Sequence, residues 1–231
     1  MIGNYMRRPL RRLEDERFLL GRACYVDDVA VLGQLRGVVL RSPYGHAVIE
    51  GIDAVAARAM PGVNGVFTAA DLDADGIGTL PCIALVATVA PIIVPPRRAL
   101  ARDRVRHVGD PVAFIVADTA QQARDAAERV AVAYRPLPAV VDAREALAGE
   151  APLLWDEALG NLSYRFERGD KPAVEAAFAA AAHIVEIELL NNRLVPAPIE
   201  PRAAIGTYDG RRRLFRAAAD RPGCAQPPPA C

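Results

Sequence analysis

The stretch PVAFIVADTAQQARDAAERVAVAYRPLP, residues 111–138, decides the fold class. Residues 112–117 form an apolar run introduced by Gly109-Asp110-Pro111, the pattern of a buried strand. Thr119 and Gln122 follow as T-x-x-Q, a helix start in which the hydroxyl accepts from an otherwise orphaned backbone N–H. The helix they open puts Ala120, Ala123, Ala127 and Val130 on one face and sets Asp125 and Arg129 at i,i+4 in the favourable order. Residues 130–134 alternate as a strand until Pro136 and Pro138 end it, because proline cannot donate to a ladder.

Upstream the same order recurs. Residues 34–41, rich in Leu and Val, predict a strand. Asp53 can cap a helix over 54–60, which Pro61-Gly62 must stop, and residues 63–67 return as a strand. Two strand-helix-strand units joined by a connection containing Pro81, Pro91, Pro95 and Pro96 predict an α/β domain with helices covering a sheet. Residues 73–106 read as irregular or short strand.

Downstream, residues 142–148 predict a short helix, and residues 153–161 a connection holding Trp155, the only tryptophan. Asp170 caps a longer helix with Pro172 tolerated in its first turn and Val174, Ala177, Phe178 and Ala181 on one face. Residues 183–189 alternate, with Val185, Ile187 and Leu189 against Ile184, Glu186 and Glu188, and so predict a half-buried strand that starts a second domain.

The chain has 231 residues, is 52% hydrophobic, and balances 28 basic against 28 acidic residues. A disordered chain would be less apolar and further from neutrality, and a nucleic-acid-binding domain would be basic; neither is indicated. Cysteines at 24, 82, 224 and 231 form no C-x-x-C pair. Residues 1–15 are positively charged but carry no apolar signal core, so a reduced, cytoplasmic setting is expected. The longest apolar run, residues 83–94, is interrupted by Thr88 and Pro91 and is too short to span a bilayer.

His46, His107 and His183 stand singly, each with at most one carboxylate nearby (Glu50, Asp110, Glu186), which argues against zinc and for structural, hydrogen-bonded roles. Asp71-x-Asp73-x-Asp75-Gly76 opens like a calcium loop, but Cys82 stands where that loop needs its bidentate glutamate, so solvated turn carboxylates are expected. Asp27-Asp28 reads the same way, and Gly76-Ile77-Gly78 is too short to stand for a phosphate-binding loop. Catalytic, cofactor-binding and metal-ligating residues are therefore assigned to none of these positions.

Several phrases together resemble the molybdenum hydroxylase large subunits, the family of xanthine dehydrogenase, aldehyde oxidase and aerobic carbon-monoxide dehydrogenase. They are Arg12-Leu13-Glu14-Asp15, Gly21-Arg22-Ala23-Cys24-Tyr25-Val26-Asp27-Asp28, Val39-Leu40-Arg41-Ser42-Pro43-Tyr44-Gly45-His46-Ala47, Ile52-Asp53 and Pro61-Gly62-Val63. Val105-Arg106-His107-Val108-Gly109-Asp110-Pro111-Val112-Ala113 and Tyr134-Arg135-Pro136-Leu137-Pro138 continue the match, with Asn161 and Gly169-Asp170 in the linker. Asn191-Asn192-Arg193 and Glu200-Pro201-Arg202-Ala203 resemble the entry to the molybdopterin-binding region, although Ala197-Pro198-Ile199 replaces the family's usual Pro-Met.

The resemblance implies an N-terminal arm (1–19), an a/b hammerhead domain (20–138), a linker (139–160), and the start of a molybdopterin-binding domain (161–210). It implies oxidation of carbon monoxide, aldehydes or purine-like heterocycles at a molybdenum–pterin cofactor. Iron-sulfur clusters and FAD are then carried by a small and a medium partner subunit. The family's catalytic glutamate has no counterpart here, and Glu200 is expected to be structural. The implied reading is a large-subunit portion inactive by itself; the alternative is a non-catalytic assembly module that binds the iron-sulfur and flavin subunits. Neither a nucleic-acid partner nor a membrane span is expected.

The resemblance stops after Tyr208-Asp209-Gly210. Residues 211–231 hold five Arg, four Pro, two Cys and one acid, Asp220, so that residues 1–210 carry −4 and the remainder +4. Such a tail is expected to be disordered, or to be a frameshifted reading of GC-rich DNA, since Lys171 is the only lysine among the basic residues.

Overall fold

A computed structural model describes residues 15–82, 88, 90–192, 194–195, 197, 202–212 and, as backbone, 214–219. The elements in chain order are α1 (Asp15–Leu19), β1 (Arg36–Arg41), β2 (Ala47–Asp53), α2 (Val55–Arg58), β3 (Val63–Thr68) and α3 (Ala69–Ala74). They continue with β4 (Arg104–Val105), β5 (Pro111–Ala117), α4 (Ala120–Ala127), β6 (Ala131–Pro136), α5 (Ala143–Ala146), α6 (Lys171–Ala180), β7 (Ala204–Asp209) and β8 (Leu214–Ala219). Two compact units result, Leu35–Val185 and a second made of Met1–Gln34 with Glu186–Cys231.

In the first unit the strands form two three-stranded antiparallel sheets, ordered β1-β5-β3 and β4-β2-β6. The mixed α/β class matches the sequence reading, but the two strand-helix-strand units do not stay separate. β5 of the second unit inserts between β1 and β3 of the first, and β6 pairs with β2. The reading had no strand over residues 47–53. Glu50 and Gly51 interrupt the apolar alternation there, and a register shift lies between Ile49 and Gly51, so pairing with the distant β6 decides this strand.

The helix starts follow local chemistry. Thr119 Oγ1 accepts from the Gln122 N–H at 3.2 Å and donates to the Gln122 side chain at 2.8 Å. Asp142 accepts from the Arg144 and Glu145 N–H groups, and Asp170 from that of Ala173. α2 is shorter than predicted, yet Asp53 still accepts the Val55 N–H at 2.9 Å. α4 presents Ala123, Ala126 and Ala127 to Ala113, Ile115 and Ala117 of β5 and Val66 of β3, all buried. Alanines on both surfaces let helix and sheet approach closely. A smaller core joins Ala47, Ala101, Val105 and Val112.

Two expectations fail, for residues 183–189 and 214–219, and one apolar surface lies open. The apolar face of α6 is not buried: Val174 and Phe178 are 51% and 56% exposed. Residues 183–189 join no ladder, and Val185, Ile187 and Leu189 are exposed. Alternation marks a strand's faces without supplying a neighbour, and none stands beside it among the described residues. Residues 214–219, where the Pro/Arg composition implied disorder, pair in continuous register with β7. The Asp209 carboxylate closes that turn by accepting from the N–H groups of Arg211 and Arg212. Residues 1–14, 220–231, including Cys224 and Cys231, and Glu200 lie outside the described residues.

Candidate functional site

The phrases Arg41–His46 and Arg106–Pro111 are far apart in sequence and meet at one end of the two sheets. The Ser42 N–H donates to the Asp110 carbonyl at 2.9 Å, and the Gly109 N–H returns a bond to the Ser42 carbonyl at 2.8 Å. Arg41 Nη1 donates to the Gly109 carbonyl, and the Asp110 carboxylate accepts the Arg106 N–H at 2.8 Å. Gly109, with φ +86°, permits the tight reversal this exchange requires.

Ser42 is committed to structure, whereas His46 is held at Nδ1 and keeps a buried Nε2 with no hydrogen-bond partner among the described residues. Ser42 Oγ accepts the Tyr44 N–H at 3.0 Å and donates to the Tyr44 carbonyl. His46, 6% exposed, sets its Nδ1 at 2.9 Å from the Pro138 carbonyl, while the Leu137 N–H donates to the His46 carbonyl. The residue that leaves the sheet after β6 is thus tied to the first signature phrase. Tyr44 and Tyr134 pack with ring centroids 5.1 Å apart, and burial pushes the Tyr134 hydroxyl pKa upward. Ser42 Oγ is spent on the Tyr44 backbone and is not hydrogen-bonded to His46, so the two are not arranged as nucleophile and base.

Sequence reasoning missed the residues that extend this knot. The Arg106 guanidinium lies 3.6 Å from the centroid of the Trp155 ring, and its Nε donates to the Leu154 carbonyl at 3.1 Å. Burial lowers the Arg106 pKa. Arg104 pairs with Asp156 at 3.1 Å. Asn161, at φ +54°, accepts the Leu154 N–H and donates to the Ala146 and Pro152 carbonyls. A single tryptophan in a proline-flanked connection was the available signal for this strap.

The histidines and the aspartate series fall elsewhere. His107 pairs with Asp110 at 3.6 Å, and His183 is exposed. Asp71 and Asp73 are not merely solvated. Asp71 accepts the Thr68 N–H and hydroxyl at 2.7 and 2.8 Å, which holds its carboxyl below the usual aspartate pKa, and Asp73 pairs with Arg98 and Arg102. Among the described residues no three His, Cys, Asp or Glu side chains converge to hold a metal ion. No helix of the described residues is long and apolar enough to cross a membrane.

Two antiparallel sheets locked by these two phrases define an a/b hammerhead. The chain belongs to the family described as aldehyde oxidase and xanthine dehydrogenase, a/b hammerhead domain, which matches residues 20–138. It is 35% identical over 211 residues to the carbon monoxide dehydrogenase large chain of Afipia carboxidovorans, covering 86% of this chain and 25% of that one. Its identity to the nicotine 6-hydroxylase large subunit of Paenarthrobacter nicotinovorans is 35% over 206 residues, with 89% and 24% covered. Among solved structures, a Cu,Mo-CO dehydrogenase superposes with a TM-score of 0.78 at 33% identity, over 91% of this chain and 27% of that one. Quinoline 2-oxidoreductase from Pseudomonas putida 86 does so with 0.79 at 32%, over 91% and 26%. The chain thus spans about a quarter of the length of the relatives it matches.

Proposed function

We propose that this chain is the hammerhead-bearing part of a molybdopterin-dependent hydroxylase large subunit that acts on carbon monoxide, aldehydes or purine-like heterocycles, and that it is inactive alone. One observation carries the reading: the family match over residues 20–138, alongside 35% identity over 211 residues to a carbon monoxide dehydrogenase large chain. The proposed organisation keeps an arm (1–19), the hammerhead (20–138), a linker (139–160), the start of a molybdopterin-binding domain (161–210) and a basic tail (211–231). The proposed setting is cytoplasmic, and the proposed partners are an iron-sulfur small subunit and an FAD-binding medium subunit.

When bound in such an enzyme, a molybdenum–pterin group supplies the oxidation of substrate. The residues of this chain do structural work towards it. Ser42, His46 and Asp110 fix the two signature loops, and Arg106, Trp155 and Asn161 hold the following segment against them. The exposed apolar residues of α6 and of residues 184–190 favour the second reading, an assembly module, because such surface calls for a cover. Purification from the native host separates the two readings. A large-subunit portion is expected to recover molybdenum only with a second polypeptide that completes the subunit, whereas a module is expected to bring down iron-sulfur and flavin subunits without molybdenum. Stoichiometric molybdenum on the isolated chain would overturn the proposed inactivity.

A further inference from the structure

Each sheet of the first unit ends in strands whose outer backbone groups are open to pairing, and proteins blunt such edges with charge, proline or cover. β1 carries Arg36 and Arg41, β4 carries Arg104, and β6 carries Arg135 and Pro136. β3, with the sequence VNGVFT, has no charge and no proline of its own. It is neutral, with Val63, Val66 and Phe67 apolar, and among the described residues no strand pairs with its outer edge, so it could add one.

Its protection comes from the neighbouring helices. Arg58, the last residue of α2, donates from Nη2 to the Val66 carbonyl at 3.0 Å. Asp71, in the first turn of α3, accepts the Thr68 N–H at 2.7 Å. The two side chains pair with each other at 3.9 Å. Val66 and Thr68 share one parity along the strand, so two of the outward backbone groups, the Val66 carbonyl and the Thr68 N–H, are occupied by one ion pair. On either side of the pair the surface is concave. One cleft of about 500 Å³ runs along residues 63–67, and another of about 590 Å³ lies towards β2 and Arg102; Arg58 and Asp71 line both. Open concave surface flanks the edge, and two of the hydrogen-bonding groups an added strand would use are taken.

We infer that Arg58 and Asp71 form a latch that keeps the edge of β3 closed, and that the strand it excludes is β3 of a second copy of this chain. A second copy fits for two reasons. Antiparallel pairing of β3 with itself across a two-fold axis sets one neutral, apolar segment against another with no like charges opposed. The other edges would each bring an arginine to the junction. The inference is independent of the proposed enzymatic role.

Hydrogen exchange on the full chain, wild type and Arg58→Ala, at two protein concentrations tests it. In Arg58→Ala the amides of residues 64–68 are expected to slow by about tenfold at the higher concentration, while wild type and Arg58→Lys show no such dependence. Asp71→Asn keeps an acceptor for Thr68 but removes the charge that holds Arg58; it is expected to give the same change and carries the test if Arg58→Ala does not fold. Circular dichroism identical to wild type with concentration-independent exchange of residues 64–68 in a folded variant would overturn the latch. Concentration-dependent protection of these amides in wild type would overturn it as well.

Discussion

Arg106 joins two parts of the chain that the sequence presents as unrelated, a signature loop and a proline-flanked connection. Its guanidinium covers the Trp155 ring and its Nε holds the Leu154 carbonyl, and these interactions require the cation's plane as well as its charge. Replacing Arg106 with Ala is expected to destabilise the first unit by about 2 kcal/mol. It should also red-shift the tryptophan emission. Trp155 is the only tryptophan, so one fluorescence-monitored denaturation reads both effects. An unchanged emission maximum in the folded variant would mean that the strap does not depend on this contact. Asp71 gives a second residue-level expectation. Its carboxyl pKa is lowered mainly by the Thr68 N–H and hydroxyl, so the folded state gains stability above the unfolded-state value and loses it as pH falls through the lower folded value. Acid denaturation of Asp71→Asn should lack that component, which parallel melts of the two proteins from neutral to acidic pH would reveal. The caps at Thr119 and Asp170 were legible because each depends on a hydroxyl or carboxylate next to its own helix. Asn161 was not, because its partners lie at Ala146, Pro152 and Leu154, and nothing in a lone asparagine announces a left-handed backbone with three bonds.

At the scale of elements, strands marked by apolar runs and breakers could be read and a strand defined by a distant partner could not. β1, β3, β5 and β6 fall where apolar runs and breakers put them, whereas β2 carries Glu50 and Gly51 and is held by β6. The opposite error occurs at residues 183–189, where the alternation is clear and no ladder forms. A periodic pattern reports which side chains share a face, and pairing must be supplied by another segment. Packing within the first sheet gives sharper expectations. A Cβ on Gly65 would approach the Phe67 ring to 2.7 Å, so the ring lies over the glycine and must move in Gly65→Ala. That substitution is expected to cost about 1–3 kcal/mol, in the range of overpacking. Thr119→Ala should cost about 1 kcal/mol, because the Gln122 N–H loses its side-chain acceptor and the exposed Gln122 side chain its donor. Chemical denaturation of both variants tests the order; a larger cost for the exposed cap than for the glycine would contradict the packing described for β3 and β5.

The whole molecule sets a packed region against an unpacked one. In the first unit, Ile115 has no exposed surface and lies among Ala57, Val66 and the alanines of α4. Phe178 on α6 is 56% exposed although it sits on the helix's only apolar face, beside Val174 one turn earlier. If both residues served the stability of the isolated chain, truncating either would weaken it. The geometry instead predicts a separation: Ile115→Ala should cost about 2–5 kcal/mol as a buried truncation, and Phe178→Ser less than about 0.5 kcal/mol as a change on an open surface. Phe178→Ser should nevertheless lower self-association, because the surface it removes is apolar and faces water. Equilibrium denaturation followed by Trp155 fluorescence and sedimentation at matched concentrations measure the two quantities separately. A large loss of stability in Phe178→Ser would place α6 within the core of this chain, and the case for an external cover would fail. A small loss with reduced association is the result that fits a helix face lying outside the core of this chain.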